Sequence, residues 1–411
     1  MREARYLVGV DQGREHEVVI LSSEGEAIAQ RRVEHGGAGL RELLAWVRGH
    51  GGGSMDGVLV ATETPRGAVV EAFVGAGARV FAINPKQLDR FRDRHSPSGA
   101  KDDSRDAWVL ADALRTDRSA FAPVACESAL VEELRELGRL RDRMVAHQGR
   151  LTNQLEERLA EVWPELLRLS PGADEPWLWS LLQRTPSPHR ARKLQKRTLA
   201  ALLREHRIRR ITPRELRKTL QEPMLPLGEG TWSAARKEIL MLSDQCRLTR
   251  QHLGQIEDDL KALLEQAIER EDEGEEGGGP CDAEIILSFP GAGLVVATRL
   301  LGEASHLLRD YRRLRIVAGV APVTKASGKH RMVIRRKSCK PRLNDAVFHW
   351  ARNAIQKDTH LRRKYDAFRA SGHTYGRALR QLGDYLLRCL CAAINSRTCY
   401  RCPGHLEIHA A

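Results

Sequence analysis

Apolar positions along the chain switch between an alternating and a helical period, and the switches define its elements. Tyr6-Leu7-Val8-Gly9-Val10 is a short apolar run ending at Asp11, and His16 to Leu21 follows Gly13 as a hairpin partner. Ala27 to Val33 predicts a third strand, and Leu40, Leu43, Leu44 and Val47 share one helical face. After glycines 51–53 comes a buried strand, Gly57 to Ala61, leading into Thr62-Glu63. A helix over 65–75 and a strand over 79–83 follow. Lys101-Asp102-Asp103-Ser104-Arg105-Asp106-Ala107 then precedes the apolar-periodic Trp108, Val109, Leu110, Ala113 and Leu114. It reads as the first turn of another helix, where Asp and Ser side chains accept from unpaired N–H groups. The resulting β-β-β-α-β-α-β-α order suits a ribonuclease-H-like sheet.

Beyond residue 122 the period is helical. Leu130, Leu137, Met144 and Leu151 recur every seventh residue with Leu134, Leu155 and Val162 as companions, interrupted by Arg141 and Gln148. Leu242, Cys246, Thr249, Leu253, Ile256, Leu260, Leu263 and Ala267 alternate steps of four and three. Two such helices predict an antiparallel coiled-coil arm. Glu269 to Pro280 is acidic and glycine-rich, cannot bury a core, and reads as a linker and domain boundary. Ile285 to Leu301 reads as helix, Gly-Ala-Gly hairpin, helix.

Composition narrows the function. The 411 residues are 42% hydrophobic, enough for two or three cores, and no window resembles a membrane span. No signal peptide is visible at the start, and eight irregularly spaced cysteines suit reduced thiols, so a cytoplasmic, nucleoid-associated protein is expected. A net charge of +13 points to a polyanionic partner, first of all nucleic acid. An aromatic content of 5% argues against single-strand binding by base stacking as the main role. Much of the excess lies between the two long helices, in Arg190, Arg192, Lys193, Lys196, Arg197, Arg204, Arg207, Arg209 and Arg210, a single-signed block that reads as a nucleic-acid contact.

Chemistry is carried by carboxylates and one serine. In a ribonuclease-H-like sheet the strands ending at Asp11 and Glu63 are neighbours, and the helix bearing Asp103 and Asp106 can pack over the same edge. Four converging carboxylates repel unless cations share them, and two Mg²⁺ ions would make them a clamp for in-line attack on a phosphodiester. Val8-Gly9-Val10-Asp11 also resembles the phosphate loop of sugar kinases and actin-like ATPases, but the second Asp-Gly loop of those folds is missing. Ser327, beside Gly328 and Lys329 and ahead of Arg331, Arg335, Arg336 and Lys337, can bind a phosphate, attack one, or merely hydrogen-bond locally. Gly291 and Gly293 would let backbone N–H groups approach DNA phosphates. Cys399 and Cys402 have zinc-ligand spacing, with His405 and His409 nearby; Cys389 and Cys391 lie in an apolar helix and read as packing residues.

Taken together the motifs resemble the IS110 family of bacterial insertion-sequence transposases, bridge-RNA-guided DNA recombinases. Val8-Gly9-Val10-Asp11, Ala61-Thr62-Glu63-Thr64, Asn84-Pro85 and Lys101-x-Asp103-x-x-Asp106-Ala107 match its RuvC-like domain. Pro290-Gly291-Ala292-Gly293, Ala318 to Pro322 and Ala326-Ser327-Gly328 match its second, transposase-type domain. The resemblance implies that Ser327 is a nucleophile forming a covalent phosphoserine link to DNA. It also implies that Asp11, Glu63, Asp103 and Asp106 hold Mg²⁺ in a site built from two subunits, and that a non-coding bridge RNA pairs with donor and target DNA. A homodimer or tetramer and no membrane are expected.

The expected architecture is α/β plus α. A RuvC-like domain over 1–122 is followed by a coiled-coil arm over 123–268, with a basic insertion at about 186–222. A linker at 269–281 leads to a mainly α transposase domain over 282–398, which carries a helix-hairpin-helix-like element, and a tail at 399–411. The alternatives are a RuvC-like nuclease in which water attacks, and a DNA-binding protein with a degenerate nuclease domain.

Overall fold

A computed structural model describes residues 6–95, 102–124, 127–272, 279–327 and 330–401, leaving out the side chains of 270–272 and 330. The chain forms two compact units that divide between residues 126 and 127.

The first unit is mixed α/β. Its elements are β1 (Tyr6–Asp11), β2 (Glu15–Ser22), β3 (Ala27–Glu34), α1 (Gly37–His50), β4 (Val58–Thr62), α2 (Ala68–Gly75), β5 (Arg79–Ala82), α3 (Pro85–His95) and α4 (Asp103–Asp117). The sheet order is β3-β2-β1-β4-β5; β1 pairs antiparallel with β2 and parallel with β4. Central strands buried on both faces read as continuous apolar runs. Accordingly Val8, Val10, Val58 and Val60 pack with Leu43, Val69 and Phe73 on one face, and Leu7, Leu59 and Phe81 pack with Leu88, Leu110 and Leu114 on the other.

Helix α3 was not evident from periodicity, because Leu88 is its one buried residue. Its start is nevertheless written locally: Pro85 fixes a helical φ, and the Asn84 side chain accepts from the Lys86 N–H at 2.9 Å.

The second unit is mostly helical. It holds α5 (Ala129–Val162), α6 (Pro176–Arg184), α7 (Pro188–Ala191), α8 (Lys196–Glu205), α9 (Pro213–Leu220), α10 (Glu229–Asp272), α11 (Asp282–Ser288), α12 (Leu294–Ala304) and α13 (Tyr311–Val317). An antiparallel hairpin, β6 (Val323–Ser327) and β7 (His330–Ile334), precedes α14 (Pro341–Lys357), α15 (Thr359–Ala370) and α16 (Tyr375–Asn395). Helices α5 and α10 run antiparallel: Arg141 pairs with Glu257 at 2.6 Å and Arg158 with Glu238 at 2.9 Å. Arg141, which breaks the heptad, is thus a cross-helix ion-pair residue.

The pair serves two cores. Leu155 and Leu159 join Ile239, Leu242 and the α6 residues Trp177 and Leu181, while Leu134, Leu260 and Leu264 join α11 to α16. The acidic run is not a boundary between cores. Helix α10 continues through Glu269 to Asp272, and Leu260 and Leu264 before the run pack in one cluster with Ile285 and Ile286 after it. Residues 273–278 lie outside the described ones.

Candidate active site

The carboxyl ends of the parallel strands β1 and β4 lie side by side, with Val10 opposite Thr62, so Asp11 and Glu63 follow as neighbours. The Gln12 side chain ties this edge by donating to Thr62 Oγ1 at 2.6 Å. Alternation along the strands sets direction: Leu7 and Gly9 face α4, and so by parity does Asp11.

Helix α4 crosses β1 with almost no clearance. A Cβ on Gly9 would lie 1.8 Å from the Ala107 carbonyl oxygen, so only glycine fits. The polarity of α4 follows from its two ends. Ser104 accepts a hydrogen bond from Gln30 at 2.6 Å, and the charge of Asp103 reaches Arg32, whereas Arg115 lies against Gly25 in the turn at the far end of β2. The N-terminus of α4 therefore sits at the carboxyl edge of β1. Asp102 caps it, accepting from the Ser104 N–H at 3.4 Å.

At this edge Asp103 and Asp106 address different partners. Asp103 is exposed, while Asp106 is 1% exposed and gripped by Arg92 of α3, with Nε 2.7 Å from Oδ1 and Nη2 donating to Oδ2 at 3.0 Å. A further carboxylate was missed in the sequence. Glu17 lies opposite Asp11 in the antiparallel register, hence on the same face, is 6% exposed, and accepts a hydrogen bond from Arg32. Its signal was the alternation Glu15, Glu17, Val19.

The expected convergence on one spot is therefore not preassembled. Among the described residues no three Asp, Glu, His or Cys side chains lie within reach of one ion. The physical reason is visible: two buried carboxylates at this edge are neutralised by arginines. The donor set still fits a hard divalent cation. All its members are carboxylate oxygens, the ligands such an ion prefers.

Ser327 lies in the second unit, exposed at the last position of β6 and opposite His330. Gly328 and Lys329 lie outside the described residues. Arg331, Arg335 and Lys337 are exposed; Arg335 donates to Asn344 Oδ1 at 3.1 Å and Arg336 to the Ala321 carbonyl at 3.4 Å. The hairpin itself was not expected from the sequence. Its outer strand exposes Met332 (60%) and Val333 (59%), which disguised the strand pattern.

Two residues assigned to nucleic acid in the basic block also have structural work. Arg192 donates to the Gln221 and Glu222 carbonyls, and Arg210 donates to the Leu169 carbonyl and pairs with Glu175. Arg190, Lys193 and Arg209 are exposed. Gly291, at φ 77°, packs where a Cβ would lie 2.6 Å from the Ala354 nitrogen, so packing alone demands glycine; Gly293 is open. Cys391 is buried, its thiol pushed up to about 12 by desolvation, which suits packing rather than ligation. Cys402, His405 and His409 lie outside the described residues. No helix among the described residues is long and apolar enough to cross a membrane.

Two family models match the chain, and the first extends past the division of the two units into α5. Residues 8–164 match a DEDD domain model of IS110 type, described as "Transposase", and residues 283–366 match one described as "Transposase IS116/IS110/IS902 family". A Sinorhizobium fredii protein described as a transposase, y4uE, is 45% identical over 49% of this chain and 57% of its own length. The Streptomyces coelicolor protein described as the mini-circle transposase for IS117 is 32% identical over 91% of this chain and 90% of its own. An uncharacterised protein of insertion element IS900 from Mycobacterium paratuberculosis is 24% identical over 95% of this chain and 96% of its own. The DEDD domain implies a divalent-metal dependence.

Proposed function

Because this chain belongs to the IS110 family of insertion-sequence transposases, we propose that it cuts and rejoins DNA strands to move its own element. The observation that carries this reading is the shared edge where β1, β4 and the N-terminus of α4 bring Asp11, Glu63, Asp103 and Asp106 to one end of the sheet. The sheet order and this placement support a RuvC-like fold.

Asp11, Glu63, Asp103 and Asp106 would hold Mg²⁺, which when bound withdraws charge from the phosphate oxygens. The chain's own groups do the rest. Ser327 Oγ attacks the phosphorus; an Oγ–P bond forms and the bond from phosphorus to one sugar oxygen breaks. The released oxygen takes up a proton as a free hydroxyl, and the strand stays attached as a phosphoserine ester. Attack on that ester by a hydroxyl of another strand rejoins the DNA and frees the serine. Lys329, Arg331, Arg336 and Lys337 hold the negative phosphate.

The family membership suits a site composed from two subunits of a dimer or tetramer. The basic insertion, through Arg190, Lys193 and Arg209, suits a bridge RNA that selects donor and target. The competing reading, a nuclease in which water attacks and Ser327 only binds phosphate, shares the carboxylates. Asp103→Asn tests what both share: cleavage of element-end DNA with Mg²⁺ should be lost while DNA binding persists. Cleavage at the wild-type rate would remove Asp103 from the site.

A further inference from the structure

Three cavities of the second unit, of about 250, 720 and 290 Å³, meet at Arg335, the first residue beyond β7. The cations around them differ in how they are neutralised. Arg299 is held by Asp142 at 2.9 Å and Asp345 at 2.6 Å, and Arg342 by Asp142 and Glu303, both at 3.1 Å. Arg315 is held by Asp384 at 2.6 Å. In the first turns of α16, Arg380 lines both smaller cavities with Arg335 and Arg377 lines that of about 290 Å³, and no described carboxylate forms an ion pair with either.

Arg335 itself donates to the neutral Asn344 oxygen and forms no ion pair with a described carboxylate. Arg335 and Arg377 are exposed at the cavity mouths and Arg380 is half-buried; burial and the charges of Arg335 and Arg377 all push the pKa of Arg380 down, the mark of a cation facing like charges. Such a cluster is costly unless an anion completes it. The positive end of the α16 dipole adds to the same field.

The geometry points to a seat for a DNA backbone phosphate formed by Arg335, Arg377 and Arg380, at the base of the hairpin that carries Ser327. The inference rests on the reading that DNA is cut at Ser327. From the row of Ser327 to that of Val323, opposite Ile334, is four residues. At about 3.4 Å per residue that is roughly 14 Å. The seat would hold the strand that far from the scissile phosphate and fix its register.

The test uses the full chain and a fluorescein-labelled DNA duplex of about 30 base pairs, with anisotropy followed from about 50 to about 200 mM salt. Arg377→Ala/Arg380→Ala should weaken binding and lower the slope of log K against log salt by about one for each arginine. Arg377→Lys/Arg380→Lys should restore most of the slope, and Arg352→Ala/Arg363→Ala, exposed arginines outside these cavities, should leave it unchanged. Hydrogen exchange of residues 375–381 should slow when DNA is added to the wild type. A double alanine variant with the wild-type slope, or a slope lost only with single-stranded RNA, overturns the seat. A double alanine variant that binds and cleaves DNA as the wild type does sinks the seat alone. One that binds no DNA sinks the transposase reading with it.

Discussion

Replacing Arg92 with alanine strips Asp106 of its bidentate partner and leaves a carboxylate whose side chain is 2% exposed. An exposed ion pair contributes at most about 1 kcal/mol, whereas breaking a buried one from one side costs about 3–5 kcal/mol. The Arg92 side chain is 21% exposed, so its end of the pair already touches water, which trims the expected cost to about 2–4 kcal/mol. Because the chain has two units, a single global unfolding free energy is not well defined, and the local readout is hydrogen exchange in β1 and α4. Exchange there should accelerate by about 30- to 700-fold, at 1.4 kcal/mol per factor of ten. In an Asp106→Asn background the same change removes about 1 kcal/mol of hydrogen bonding, so the two substitutions should couple by about 1–3 kcal/mol. Mg²⁺ should restore more protection to Arg92→Ala than it adds to the wild type, since the freed carboxylate is then available to it. Exchange changed by less than about threefold, or strict additivity of the two substitutions, refutes the view that Arg92 is what holds Asp106.

Two further perturbations have clear signs. Gly9→Ala drives a methyl into the Ala107 carbonyl, so α4 must shift off β1; a loss of about 3 kcal/mol or more and rapid exchange throughout α4 are expected, and a wild-type melting curve would contradict the packing. His306 is pushed down to about 4 by burial, then by Lys340, Arg313 and Arg135; its neighbour Glu127, 3.2 Å away, is already paired with Arg135. With the folded value below the ordinary 6.5, the unfolded chain binds the proton more readily, so this stability is complete above pH 6.5 and is lost as pH falls towards 4. Discounted for a 38% exposed side chain, it amounts to about 1–2 kcal/mol. His306→Gln should flatten urea midpoints between these pH values, and an unchanged pH dependence would exclude His306 as its source.

What could be read from the sequence was whatever burial writes as a period. The strands at Tyr6, His16 and Val58 are apolar runs because the sheet is covered on both faces, and the long helices show heptads because their stripes feed continuous cores. Helix α3 escaped because a single buried leucine leaves no stripe, and with it went Arg92, the residue that governs Asp106. The hairpin of Ser327 escaped because its strands are largely exposed, so alternation had no core to record. Glu17 was missed for a different reason: alternation gives its face, but only strand register sets it opposite Asp11. The acidic run misled because composition reports solvation, and a residue near a helix end such as Glu269 is solvated too.

The central claim is that Ser327, and not water, attacks the phosphodiester. Incubating the full chain with Mg²⁺, its element-encoded RNA and labelled target DNA, then denaturing the mixture, reads this directly as a protein–DNA adduct on a gel. The account predicts an adduct in the wild type, its release by a treatment that cleaves phosphoserine esters, and neither adduct nor cleavage in Ser327→Ala, which should still bind DNA. Cleavage by Ser327→Ala at the wild-type rate, with no adduct in either protein, would contradict it and leave a metal-dependent nuclease in its place.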